Sequence, residues 1–170
     1  KGFDLDPLAI LISQVWNTPV LYSKVEYLGQ QLLETSQYET NAILPWVDDE
    51  TDKFLKFWFA EPQRNILTRI ASVLQKWNEP EADVLRVALS RLIITKKRGA
   101  SLAWDVSHGK PHKVRFENDF DIWSEFPKAV KAVCRNLPTS SALGTVIVER
   151  GDARRLNIVE DNSIDFILTS

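Results

Sequence analysis

The sequence predicts an α/β fold: a parallel sheet built from segments near the two ends of the chain, interrupted by a large, mainly helical insertion. Three observations predict it. Runs of β-branched and apolar residues at 2–5, 145–149 and 164–169 have strand character. The middle of the chain instead repeats apolar residues at spacings of three and four, the period of a helix. The last two strand segments are joined by only a short helical or turn segment at 153–159, and such a crossover suits parallel strands in one sheet.

Taken in order, Gly2-Phe3-Asp4-Leu5 ends a strand, Asp6 is placed as helix N-cap and Pro7 as the first helical residue. Leu8, Leu11, Ile12 and Val15 carry that helix to about Asn17, where Thr18-Pro19 stops it. A second helix is expected over Ser23 to Gln37. Residues 41–60 read as a loop with an acidic run (Asp48, Asp49, Glu50, Asp52), leading into a packed aromatic patch of Phe54, Phe57, Trp58 and Phe59. Helices follow from Pro62 to Trp77 (Ile66, Ile70, Val73, Leu74) and from Pro80 to Ile94 (Val84, Leu85, Ala88, Leu92), with Asn78-Glu79 as a tight connection. Glycines, a proline and six Lys or Arg make 96–115 a long basic loop. Another helix spans Ile122 to about Leu137 around Pro127, and 138–144 is a polar linker. The expected division is therefore 1–20 and 140–170 for the sheet, with 21–139 as the insertion.

With 44% hydrophobic and 26% charged residues in 170, the chain can bury a core, which argues against disorder. A net charge of -2 and a pI near 5.8 give no global attraction to nucleic acid, so any such binding must rest on a local cluster. The single cysteine, Cys134, rules out a disulfide within the chain and fits a small apolar place on a helix beside Val130 and Val133. No apolar run approaches the roughly 20 residues that span a bilayer, and a cytoplasmic protein is the expectation. The chain opens on Lys1-Gly2-Phe3, contains no methionine and stops within a strand pattern, so it is expected to be an internal piece of a longer protein that would not catalyse by itself.

In a parallel α/β sheet, ligands bind beyond the carboxyl ends of the strands. Three polar residues hold such places: Asp4, Asp152 and Ser170. A carboxylate at Asp4 can accept from both hydroxyls of a ribose, or it can compete with Asp6 to cap the following helix, worth about 1 kcal/mol. Asp152 is equally readable as a turn residue after Gly151.

Gly-Phe-Asp-Leu-Asp-Pro-Leu-Ala at 2–9, Gly-Asp-Ala-Arg-Arg-Leu at 151–156 and Ser-Ile-Asp-Phe-Ile-Leu-Thr-Ser at 163–170 resemble, in that order, consecutive motifs of bacterial DNA amino-methyltransferases. The stretches 98–102 and 107–114 are similar to a loop of such modification methylases. The resemblance covers the two ends and this loop. The glycine-rich turn that holds the methionine end of S-adenosylmethionine, and the Pro-Pro-Tyr that would follow Ser170 in a Ser-Pro-Pro-Tyr motif, lie outside the sequence.

The resemblance implies a class I, Rossmann-like methyltransferase core, incomplete here, whose first strand would lie between its second and fourth. It implies that Asp4 binds the cofactor ribose, that Leu5 packs on the adenine, that Asp152, with Ala153 beside it, accepts from the adenine amino group, and that Ser170 is catalytic at the target base. Serine at that motif position tilts the target toward cytosine N-4 over adenine N-6. DNA is the implied partner, double-stranded with the target base flipped out, alongside a restriction-modification partner and no membrane.

In the basic loop, Lys96, Lys97, Arg98, Lys110 and Lys113 are candidates for phosphate, and His108, His112 and Trp104 for hydrogen bonds or stacking; a solvated surface loop is the alternative. His108 and His112 have the spacing of two metal ligands on a helix, but Gly109 and Pro111 oppose a helix there and no metal is expected. Ser107, His108 and Asp105 are too close in sequence to converge as a hydrolase triad. Two rival functions stay open: an RNA base methyltransferase and a non-enzymatic helical module that binds nucleic acid.

Overall fold

Helix signals dominate the chain, and helices dominate the structure. The computed structural model describes residues 1–93, 98–104, 112–113, 115–138, 140, 144–156 and 159–169, with the backbone alone at Trp104 and His112. The elements are β1 (Gly2–Asp4), α1 (Pro7–Asn17), α2 (Tyr22–Tyr38), α3 (Asp49–Trp58), α4 (Glu61–Leu74), α5 (Pro80–Ile93), β2 (Ala103–Trp104), β3 (His112–Lys113), α6 (Ile122–Cys134) and β4 (Val148–Arg150).

Local chemistry sets the helix starts. The Asp6 carboxylate accepts from the Leu8 N–H and Pro7 opens α1; Asp48 caps α3 through the Thr51 N–H; Asp121 caps α6 through Trp123 and Ser124. Helix α5 is the centre of the bundle, packing against α1, α2 and α6. Its Leu85 and Ala88 are fully buried with Leu32 of α2, Ile70 of α4 and Phe126 of α6. Val15 of α1 joins the same core. The helical body therefore reaches back into residues that the sequence assigns to the sheet region.

Two polar devices close the ends of α4 and α5. Arg86 Nη2 donates to the Trp77 and Leu74 carbonyls at 2.6 and 2.9 Å while Nη1 pairs with Asp83, so a guanidinium on α5 closes the turn after α4, where the Leu74 carbonyl also accepts from the Trp77 N–H. At the end of α5 the chain folds back, and the N–H groups of Ala100 and Ser101 donate to Leu92 and Ile93. Gly99 permits that return: a Cβ there would stand 2.9 Å from the Ile93 carbonyl oxygen and 3.0 Å from that of Leu92. Asn118 then clamps the returning segment, its Nδ2 donating to the carbonyls of Gly99, Ala100 and Ser101.

The sheet expected from residues near the two ends forms in part. β1 and β4 pair in parallel with Gly2 opposite Val148 and Asp4 opposite Arg150. The Gly2 N–H donates to Ile147 at 2.8 Å and the Gly151 N–H to Asp4 at 3.0 Å, and Gln14 of α1 reaches the Val148 carbonyl. The strand expected at 145–149 thus pairs three residues later, over 148–150. Residues 164–169 form no strand, contrary to expectation; Phe166, Ile167 and Leu168 are about four-fifths exposed. A strand exists only through its ladder, and this run has no ladder neighbour among the described residues.

Two further differences concern the insertion. Residues 49–58, read as loop, are the helix α3, started by the Asp48 cap and three acidic residues in its first turn and supported by the Asp52–Lys56 pair one turn apart. The aromatic patch is not uniformly packed: Phe59 is buried, whereas Phe54 and Phe57 are more than half exposed. Within 96–115 the described residues include a short antiparallel pair, Ala103 opposite Lys113 and Trp104 opposite His112. Among the described residues no helix is long and apolar enough to cross a membrane.

Two substitutions test this account by chemical denaturation. Arg86→Ala is expected to cost about 1–2 kcal/mol, the value of charge-assisted hydrogen bonds in a partly exposed setting. Gly99→Ala should cost about 1–3 kcal/mol, since the new methyl meets backbone carbonyls that cannot step aside.

Candidate functional site

The parallel register decides where the two candidate carboxylates stand. Asp4 is the last residue of β1 and Asp152 lies two residues past β4, and the hydrogen bond from Gly151 to Asp4 joins the strands at that point. Both carboxylates therefore occupy the carboxyl rim of one two-stranded sheet. Asp4 is exposed; its Oδ1 accepts from the Asp6 N–H at 2.8 Å, while its Oδ2 has no partner among the described residues. Leu5 beside it is 55% exposed rather than packed in the core. The structure thus uses Asp6 as the cap of α1 and leaves Asp4 at the rim.

Asp152 is differently placed. Its Oδ1 accepts from the Arg154 N–H and Nε, both at 2.9 Å, and its Oδ2 accepts from Nη2 at 2.6 Å and Nε at 3.1 Å. The turn is closed behind it by the Arg155 N–H donating to the Asp152 carbonyl, with Ala153 exposed at the turn. The Arg154 guanidinium, together with the Arg154 backbone N–H, holds the Asp152 carboxyl below the usual carboxylate range. The Arg154 side chain is 83% exposed and that of Asp152 25%, so the pair is open to solvent and competitors from the arginine side. Sequence reasoning missed this partner, although an arginine two residues after an aspartate in a turn is the signal for it.

No match to this chain exists among protein-family models, curated proteins or solved structures.

Next to the rim, a cleft of about 380 Å³ runs between α1 and the strands, from Lys1 and Val146 past Gly2 and Val148 to Asp4, with Ile10, Ser13 and Asn17 on the helix side. Its lining takes in no residue from 150–156, so this cleft belongs to Asp4 and not to Asp152. Ser170, the catalytic candidate, lies outside the described residues, as do Lys96, Lys97, His108 and Lys110; for His112 only the backbone is described.

The remaining two basic candidates are engaged within the protein. Arg98 pairs with Asp119, whose carboxyl that guanidinium lowers. The Lys113 ammonium sits 4.8 Å from the Phe57 ring centre and 5.4 Å from that of Phe116. Neither aromatic is a candidate from sequence: Phe57 lies on a helix more than fifty positions before Lys113, whereas Phe116, three residues away, is a neighbour the sequence shows without showing the contact. Among the described residues no group of three or more His, Cys, Asp or Glu side chains converges as a metal would require.

The lowered Asp152 value carries a pH prediction. A carboxylate whose folded value is depressed contributes stability above its unfolded value of about 3.9, and the contribution is lost as pH falls through the lower folded value. The Asp152 side-chain carbon shift is expected to titrate below the ordinary aspartate midpoint, and Arg154→Ala, which keeps the backbone N–H, should raise it toward the ordinary range; a midpoint indifferent to Arg154 would separate the two groups.

Proposed function

We propose that this chain is part of an S-adenosylmethionine-dependent methyltransferase acting on an exocyclic amino group of a DNA base, cytosine N-4 in preference to adenine N-6. One observation carries the reading. The segments 2–4 and 148–150, some 140 residues apart, pair in parallel so that two carboxylates face one rim, the place where open α/β sheets take nucleotides.

The donor set suits the cofactor. Asp4 offers an exposed carboxylate with a free oxygen, which two vicinal ribose hydroxyls can share as donors. Leu5 presents apolar surface to the adenine ring. Asp152 is the acceptor for the adenine amino group, with Ala153 small enough to admit the ring edge; Arg154 competes for that acceptor and has to turn away, a modest demand on an exposed ion pair. S-adenosylmethionine supplies an electrophilic methyl on a sulfonium.

On the substrate side, an exocyclic amino nitrogen is a weak nucleophile because its lone pair is delocalised into the ring. Ser170 in this reading accepts an N–H of that amino group, localising the lone pair and aiming it. Cations of 96–115 hold the phosphates of the DNA while the target base is turned out of the stack. The resemblance of 163–170 to the Ser-Pro-Pro-Tyr group supports cytosine N-4 as the preferred target.

Calorimetric titration of S-adenosylmethionine into the full-length gene product tests the reading. Asp4→Ala and Asp152→Ala are each expected to weaken binding by about tenfold or more, the loss of charge-assisted hydrogen bonds. Arg154→Ala should leave affinity equal or improve it. Unchanged affinity in both aspartate variants would remove the cofactor assignment.

A further inference from the structure

Aromatic rings are usually placed where they can be buried, yet two stand exposed beside one lysine and a third is exposed on the same helix. Phe57 is 52%, Phe54 58% and Phe116 88% exposed. Phe57 meets Trp58 edge-on at 5.0 Å, and Phe54 approaches Trp58 at 6.2 Å, so the rings form one continuous surface at the end of α3. Lys113 places its ammonium between Phe57 and Phe116.

The surface is built on fixed supports. The Leu102 N–H donates to the Trp58 carbonyl at 2.7 Å, which ties the strand leading into β2 to the end of α3. Asn118 holds 99–101 against the segment that carries Phe116, and the Arg98–Asp119 pair joins the same two stretches. Rings, lysine and hairpin are thus presented as a unit.

Charge selects the occupant. Segment 96–119, which carries both Lys113 and Phe116, has six Lys or Arg against Asp105, Glu117 and Asp119, the last paired with Arg98, in a chain whose net charge is -2. An apolar protein face would have to bury the Lys113 ammonium with only its ring contacts and no counter-charge, whereas a phosphate neutralises it. Asp49 and Glu50 stand at the other end of α3, their backbone about 11 Å before that of Phe57 along the axis, and Asp52 is already paired with Lys56. Ring faces beside a cation suit unpaired bases, whose own faces are free to stack; in a duplex those faces are covered.

We propose that Phe57 and Phe116, on either side of Lys113, form a stacking surface for unpaired bases of a nucleic-acid strand. It rests on the nucleic-acid half of the function proposed above and does not require the cofactor half.

Fluorescence anisotropy with a labelled oligothymidylate of about 12 nucleotides, and with a duplex of the same length, tests it on the purified chain. Phe57→Leu and Phe116→Leu keep apolar bulk but remove the π-face, and both positions are exposed, so the melting midpoint should hold. Each is expected to weaken single-strand binding about tenfold while duplex binding changes less than about twofold. Lys113→Gln should reduce the salt slope of single-strand binding by about 0.7.

Leucine variants that bind the single strand like the wild type would overturn the proposal, as would equal losses on both probes or no binding by the wild type. Self-association abolished by the same substitutions, without oligonucleotide binding, would assign the surface to a second copy and also overturn it. Stacking that survives alongside cofactor affinity indifferent to Asp4 and Asp152 would sink the methyl-transfer reading alone; the reverse pattern would sink the stacking surface alone.

Discussion

The pairing of Gly2–Asp4 with Val148–Arg150 is the constraint on which the candidate site depends. Bringing together segments some 140 residues apart costs on the order of 4 kcal/mol in chain closure, whereas each backbone hydrogen bond of a three-residue ladder returns about 1 kcal/mol net. Two such short strands do not hold themselves. Helix α1 supplies the rest: it lies against β1 and β4 on one side and α5 on the other, with Val15 in the helical core and Gln14 on the Val148 carbonyl. The positions of Asp4 and Asp152 are therefore inherited from helix packing.

Much of the helical part was legible in the residues, because a capping aspartate followed by apolar residues three and four apart leaves little choice. Asp6-Pro7 marks the start of α1, and the helix expected from Ile122 begins there, on an Asp121 cap that the structure adds. Helix α3 escapes the sequence pattern because Phe54 and Phe57 are exposed and Leu55 and Trp58 only half-buried, so no buried stripe announces it, although Asp48 and Thr51 already spell the cap. The run at 164–169 was read as a strand for the opposite reason: strand propensity describes what a segment would do beside a neighbour, and the neighbour is a property of the fold.

The same limit applies to the candidate site. That Asp4 and Asp152 each follow a strand is a local fact and could be read; that the strands are adjacent and parallel is not. Side-chain partners were less legible still. The Arg154 fork on Asp152 depends on turn geometry, and the rings around Lys113 on a hairpin folding toward α3. In both cases a charged group central to the proposed chemistry already holds an intramolecular contact at the surface, where solvent and salt keep such contacts weak. Ligand binding would exchange one weak contact for another, which favours selectivity over raw affinity.

The bare apolar run at Phe166-Ile167-Leu168 bears on how the protein behaves in the tube. Uncharged, rich in strand-forming residues and with its backbone unladdered, it is the kind of stretch that copies of a chain can lay side by side. Asp165 is the sole charge within 164–169 to oppose such stacking, and a net charge of -2 adds little colloidal repulsion. Purified material will therefore lose monodispersity as it is concentrated, most readily near its isoelectric point, and dilute, mildly alkaline buffers are where it keeps best.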